Sequence, residues 1–395
     1  MSGRGGAAAP RLVTPLFVRI TLTSFAYFAS YGMTLPVLPK FVDGPLGGGG
    51  LEVGLVGSAF AFSSIVLRPI AGRVGDARGR GILMAGGAAI VATATLPTGY
   101  AGAVWLAFLF RFSAGFGEAG FFTGAASAIN DLAPEERRGE AVSYFTLSLY
   151  SGLALGPLAG EAIMKAAGFK AAFLAAGALA GVAALATLRL PDTRPDKDGP
   201  QGRGPIFHRA AFGPGSIMTT SVIGFAGYAA LMPLYARNLG MDAAPIFLAY
   251  SVVILVLRLA GARVPDRFGA RRTATTALMV SASGLLLVFA WRGSLGLVLG
   301  SMLFATGQAF VFPSMLTLAV RGAPARERGS VVGTFTAFVD LGFLAGPLLM
   351  GFLADLYGYR GSFLGGSIVG FAGLVWLLAR IRAEHHAAHP EPGPI

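Results

Sequence analysis

Charged residues divide this chain into long apolar intervals. The first lies between Arg19 and Lys40, where twenty consecutive positions carry no charge, and about 20 predominantly apolar residues are what a helix needs to cross a bilayer. Similar intervals recur at 51–71, 82–98, 103–130, 140–164, 171–189, 210–236, 244–261, 274–291, 295–320, 330–354 and 361–380. The first is too long for the core of a signal peptide and no clear cleavage site follows it, so the pattern predicts twelve transmembrane helices. Leu190 to Arg209 is the longest polar stretch, rich in Pro, Gly and charge. It predicts a linker (190–209) joining an N-terminal six-helix bundle (1–189) to a C-terminal one (210–395) with a short tail.

Composition agrees with this reading. Of 395 residues 54% are hydrophobic and only 13% charged, against roughly 25% charged in soluble domains. The 58 glycines and 23 prolines suit membrane helices that pack closely and bend. A net charge of +12 would point to nucleic acid only if the basic residues formed a patch, and they are spread between the spans. Basic loops stay on the cytoplasmic side. With both termini inside, all of the 31 basic residues fall on cytoplasmic ends except Lys40, Lys165, Lys170, Arg237, Arg292 and Arg360 in external loops, and Arg111 within a span. The expected setting is the inner (plasma) membrane of a bacterium, with both termini cytoplasmic. There is no cysteine, hence no disulfide or thiolate metal site. Three of the four histidines, His385, His386 and His389, lie in the tail and form no helical metal site, so neither metal nor cofactor is expected. No P-loop pattern and no nucleophile with a partnered base is present, which argues against an ATP-driven pump and against an enzyme.

The second half repeats the first at a constant offset of about 190 positions. Arg68 falls on Arg258, Asp76 on Asp266, Gly79 on Gly269, Gly117 on Gly307, Pro134 on Pro324, and Gly156-Pro157 on Gly346-Pro347. Six spans return the chain to its starting side, so the repeats are parallel, related by an axis normal to the membrane. A pathway between the halves is the natural consequence.

Several motifs resemble those of the major facilitator superfamily over essentially the whole chain. The segment Gly72-Arg-Val-Gly-Asp76-Ala-Arg78-Gly79-Arg80 is similar to the family's GxxxDRxGRR loop, with Ala77 in place of the usual Arg and Gly81 in place of a basic residue. The second copy keeps Asp266-Arg267 but begins at Ala262. A small residue lets helices approach, and an aspartate can meet the positive N-terminal end of a neighbouring helix. Gly72, Asp76, Arg78, Asp266 and Arg267 are therefore expected to latch one conformation. Gly152, Gly156, Pro157 and Gly160 resemble the GxxxGPxxGG motif of the family's drug/proton antiporters, with Glu161 replacing the last glycine, and Gly32-Met-Thr-Leu-Pro36-Val-Leu-Pro39 resembles their first-helix GxxxPxxP pattern. Gly342, Gly346 and Pro347 repeat the GxxxGP element, which leaves open a plain packing role.

Ionisable groups at bilayer depth are costly and usually functional. Arg111, Glu118 and Asp340 are the candidates for proton coupling or substrate binding. Arg111 and Glu118 lie two turns apart on one helix face, and Arg111-Phe-Ser-Ala-Gly115 resembles the family's RxxxG arginine motif, which implies a part in proton relay; tying helices through backbone carbonyls is the structural alternative. Burial opposes the charge of Glu118 and a nearby arginine favours it, so it could exchange protons. Its repeat mate is Gln308, and that of Asp340 is Tyr150. Tyr27, Tyr31, Tyr150, Tyr228 and Gln308 are possible cavity residues. Glu52, Glu161, Asp355 and Arg68 fall near helix ends, where side chains can snorkel, and are given no part in the mechanism. The resemblance implies a monomeric secondary transporter, a proton-coupled antiporter exporting small amphipathic compounds by alternating access. The alternatives are proton-coupled uptake of a small metabolite such as a sugar or organic anion, and a receptor or scaffold that has kept the fold.

Overall fold

A computed structural model describes residues 12–134, 137–193, 207–261, 264–321 and 328–388. Most of the expected linker, the last tail residues and the side chains of Asp76, Asp266, His385 and His386 lie outside the described residues.

Among the described residues twelve long helices follow one another: α1 Pro15–Asp43, α2 Gly50–Arg78, α3 Arg80–Thr95 and α4 Val104–Leu132. The continuous helical stretch Arg138–Leu188 breaks at Gly168 (φ 84°) into α5 (138–167) and α6 (169–188). Then come α7 Arg209–Asn238, α8 Ala243–Ala260, α9 Ala270–Ala290 and α10 Ser294–Val320. Arg328–Ala388 breaks at Gly358 (φ 74°) into α11 (328–357) and α12 (359–388). Gly168 and Gly358 stand 190 positions apart, as do Gly79 (φ 108°) and Gly269 (φ 85°). A left-handed backbone that only glycine adopts without strain thus recurs at the repeat offset, turning α5 into α6 and α11 into α12.

The outer surface is apolar: Leu185, Leu259 and Val375 are 68%, 70% and 65% exposed, as suits contact with lipid rather than water. Within each half small residues bring helices together. A Cβ on Gly152 would lie 2.6 Å from the Ala29 nitrogen, one on Gly156 2.5 Å from the Ala29 oxygen, and one on Gly32 2.8 Å from the Gly152 oxygen, so α5 sits backbone to backbone on α1. Gly342 and Gly346 do the same for α11 on α7, at 2.5 Å from Val222 and 2.6 Å from the Ile223 oxygen. The GxxxG faces therefore pack helices inside each half, and the same contact appears in both repeats.

Between the halves the principal contacts are α2 with α11 and α5 with α8. Along α2 they concentrate toward its N-terminal end: Gly54 and Gly57 abut Pro347, Gly50 abuts Gly351, and the Ser58 hydroxyl donates to the Leu344 carbonyl at 2.7 Å. Toward the other end of α2, Gly72 has open space where its Cβ would be. Among the described residues, these contacts between the halves close the end of the molecule that carries the α1–α2, α5–α6, α7–α8 and α11–α12 connections.

Candidate functional site

Where α2 crosses α4 and α11, three charged side chains meet. Ser64 and Arg68, one turn apart, share the face of α2 that meets α4, because residues four apart on a helix are neighbours. The Ser64 hydroxyl donates to the Glu118 carboxylate. Arg68 reaches Glu118 with Nη2 at 3.3 Å from Oε2 and, across the boundary between the halves, Asp340 with Nη1 at 2.8 Å from Oδ2. Phe122, one turn beyond Glu118, lies under the guanidinium at 5.3 Å. The side chains of Arg68, Glu118 and Asp340 are only 24%, 14% and 14% exposed. Two carboxylates share one guanidinium, so with all three ionised the cluster carries one surplus negative charge. A single proton or a monovalent cation neutralises it.

Arg111 shares the α4 face with Glu118 and is set among aromatic rings. Its guanidinium lies 4.2 Å from the centre of the Phe60 ring and 5.1 Å from that of Tyr31, a cation–π setting. Its Nε is buried with no hydrogen-bond partner. Aromatic rings thus hold this arginine where backbone carbonyls were the structural alternative.

The repeat mates show how the halves differ. Arg258, the mate of Arg68, also reaches across the boundary, its guanidinium 4.5 Å from the ring of Tyr150, the mate of Asp340; its Nε donates to the Ala309 carbonyl at 3.3 Å. Gln308, the mate of Glu118, donates through Nε2 to the Ser221 and Ser281 hydroxyls at 3.1 and 3.2 Å and so ties α7, α9 and α10 together. On one side of the pseudo-two-fold axis the arginine meets two carboxylates, and on the other it meets an aromatic ring and a backbone carbonyl. Tyr27 and Tyr228 are packed inside their own halves: Tyr27 stacks on Phe121 at 3.8 Å, and the Tyr228 hydroxyl donates to the Ser301 oxygen at 2.7 Å. Tyr250, which the sequence did not single out, is buried beside Tyr228 and Phe225, and its hydroxyl has no partner.

The closed end is held by polar contacts between the halves. Lys40 and Glu161 form a buried ion pair within the N-terminal half, and the second Glu161 oxygen reaches across to accept the Ala244 N–H at 2.6 Å, at the start of α8. In the opposite sense, Asp355 at the end of α11 accepts the N–H groups of Gly50 and Leu51 at 2.6 and 2.8 Å, at the start of α2. Each half thus sets a carboxylate on the positive N-terminal end of a helix in the other. Asp43 takes Arg237 and Tyr359, and Lys165 pairs with Asp242. At the other end Arg78 and Arg267 are exposed, with Arg267 5.7 Å from the Phe268 ring. Glu161, Asp355 and Arg68 therefore make buried or directed contacts, where their places near the ends of apolar intervals suggested snorkelling.

Twelve apolar helices in two pseudo-symmetric halves, with a charged cluster at their boundary, define a multi-pass membrane protein. The sequence model of the Major Facilitator Superfamily matches residues 20–263 and 217–394, and the chain belongs to that superfamily, which makes it a secondary transporter. It is 31% identical over 388 residues to an uncharacterised MFS-type transporter of Pseudomonas aeruginosa, covering 93% of each chain. It is 26% identical over 366 residues to one of Salmonella typhimurium, covering 88% of this chain and 91% of that one. Among solved structures the POT family peptide transporter PepTSo superposes with a TM-score of 0.79 at 14% identity, covering 95% of this chain and 99% of that one. The human organic anion transporter MFSD10 gives 0.71 at 19%, covering 92% and 100%. Likeness at such identities speaks for the fold alone.

Proposed function

We propose that the protein is a proton-coupled antiporter that exports small amphipathic compounds by alternating access, with Glu118 and Asp340 as the coupling carboxylates and Arg68 as the group they share. The observation that carries this reading is the bridge from Glu118 in one half through Arg68 to Asp340 in the other. Its single surplus negative charge is the quantity that a proton and a cationic or polarised substrate would compete for. A proton on Asp340 weakens the tie between the halves; loss of that proton restores it. Coupling requires such a difference in affinity between conformations. In the orientation expected from the basic residues, the closed end is external and the conformation is inward-open, in the inner membrane of a bacterium with both termini cytoplasmic. The protein works as a monomer, its bundles spanning 1–189 and 210–395 around the 190–209 linker. Gly72, Asp76, Arg78, Asp266 and Arg267 close the opposite end in the other conformation.

One observation favours a second reading, uptake of a small metabolite such as an organic anion. The Arg111 Nε is buried and unpartnered between aromatic rings, a setting in which an anionic substrate would satisfy it. Reconstitution into liposomes with an imposed pH gradient separates the readings. Antiport predicts proton release evoked by lipophilic cations and lost in Glu118→Gln or Asp340→Asn. Anion-dependent flux lost in Arg111→Lys with both carboxylates dispensable would overturn it.

A further inference from the structure

Arg258 stands in the last turn of α8 and serves two other helices at once. Its Nε donates to the Ala309 carbonyl of α10 at 3.3 Å. The sequence sets that carbonyl apart. Its helical donor would be the N–H of residue 313, which is Pro313, in the interior of α10, and proline has no N–H to give. Ala309 is fully buried, and a buried carbonyl without a partner is costly. Arg258 therefore supplies the donor that Pro313 lacks. Phe310, the next residue of α10, meets the end of α8 at Gly261, where a Cβ would lie 2.7 Å from its ring. The end of α8 thus covers the interruption in the α10 ladder.

The same guanidinium reaches across the boundary between the halves, where it lies 4.5 Å from the centre of the Tyr150 ring of α5, a cation–π contact. The repeat shows what is particular to this half. Arg68, 190 positions earlier, reaches α4 through the Glu118 side chain, and the position matching Pro313 is Thr123, which keeps its N–H. In the C-terminal half the arginine is held instead between a freed backbone carbonyl and a ring of the opposite half.

We propose that Arg258 is a positioning residue for the conformational change of transport: it ties the proline-interrupted segment of α10 to Tyr150, so that α10 and the α5–α8 boundary move together. A proline removes one bond from a helix ladder and makes that place the one where the helix bends most readily. The Tyr150 ring orients the guanidinium that holds the freed carbonyl. When α5 moves away with its half, the ring contact is lost, and with it the constraint on α10. This tie is made to a ring face, where Arg68 makes its own to a carboxylate.

The test uses the full-length protein in liposomes without added substrate, so its outcome does not depend on which compound is carried. Spin labels at Leu147→Cys and Leu259→Cys, exposed on α5 and α8, report the distance across this boundary. Tyr150→Leu removes the ring and leaves the Arg258–Ala309 bond. It is expected to shift the populations about tenfold toward the longer distance, the scale of a desolvated cation–π contact. Tyr150→Phe, which keeps the ring, should leave them as in wild type. Arg258→Met should give the same shift with lower thermal stability. Adding Pro313→Ala, which returns the helical N–H to the Ala309 carbonyl, should restore the stability and leave the shift. The Tyr150 variants serve if Arg258→Met does not fold. Wild-type distances in Tyr150→Leu, or an equal shift in Tyr150→Phe, would overturn the proposal. Restoration of both properties by Pro313→Ala would also overturn it, because Arg258 would then do no more than satisfy a carbonyl.

Discussion

Replacing Asp355 with alanine tests whether the closed end is held by carboxylates seated on helices of the opposite half. Its two oxygens take the Gly50 and Leu51 N–H groups at 2.6 and 2.8 Å, and these bonds exist only while that end is shut. Loss of a side-chain cap costs about 1 kcal/mol, and loss of a negative charge at a helix N-terminus about 0.5 kcal/mol more at an exposed position. The sum, about 1.5 kcal/mol, shifts the ratio of open to closed molecules roughly tenfold. Because the chain has no cysteine, spin labels placed at Ala167→Cys and Ser294→Cys, both exposed at the closed end and in opposite halves, report the distance directly. The longer-distance population should grow about tenfold relative to the shorter. The shift should also shrink in about 1 M salt, where exposed charges are screened within ~3 Å. A distance distribution unchanged by Asp355→Ala would refute the reasoning, since the equilibrium would then be set elsewhere.

Three further outcomes follow from the packing. Gly54→Leu should keep the same end from closing, because a side chain there overlaps the Pro347 carbonyl; the same spin-label pair should report the open distance, with transport abolished in folded protein. Glu161→Gln should lower stability in detergent by about 3–5 kcal/mol by leaving Lys40 buried without its counter-charge, read as thermal unfolding, whereas Lys40→Met combined with Glu161→Met should restore most of it. Arg68→Gln should leave two carboxylates together without their shared cation, so transport should fail even though neither carboxylate is altered; wild-type transport in this variant would remove Arg68 from the cluster.

The twelve spans were legible because membrane insertion imposes one strong rule, long intervals without charge, and α1 to α12 follow the intervals closely. The repeat was legible too, and the structure extends it to the paired glycine breaks at 168 and 358, which the sequence reading did not single out. Arg68 was not, because the apolar interval ends near 71 while α2 continues to Arg78. The end of an interval is not the end of a helix, and the side chain turns back into the boundary between the halves instead of out toward water. Its coincidence with Arg258 was the available signal. Glu161 was set aside for the same reason: whether an acid near a span's end faces lipid, water or a lysine depends on helix rotation, which spacing along one helix leaves open. The GxxxG motif on α5 was recognisable, but its contact with α1 lies within one half and has a twin on α11 and α7, so it describes packing and carries no direction of transport.

The central claim, that Glu118 and Asp340 couple protons to substrate through Arg68, is tested most directly in proteoliposomes bearing a pH gradient. Proton flux evoked by lipophilic cations is measured for wild type, Glu118→Gln and Asp340→Asn at matched amounts of folded protein. The account predicts evoked flux in wild type and its loss in at least Asp340→Asn, with substrate binding retained. Undiminished flux in both variants would contradict it.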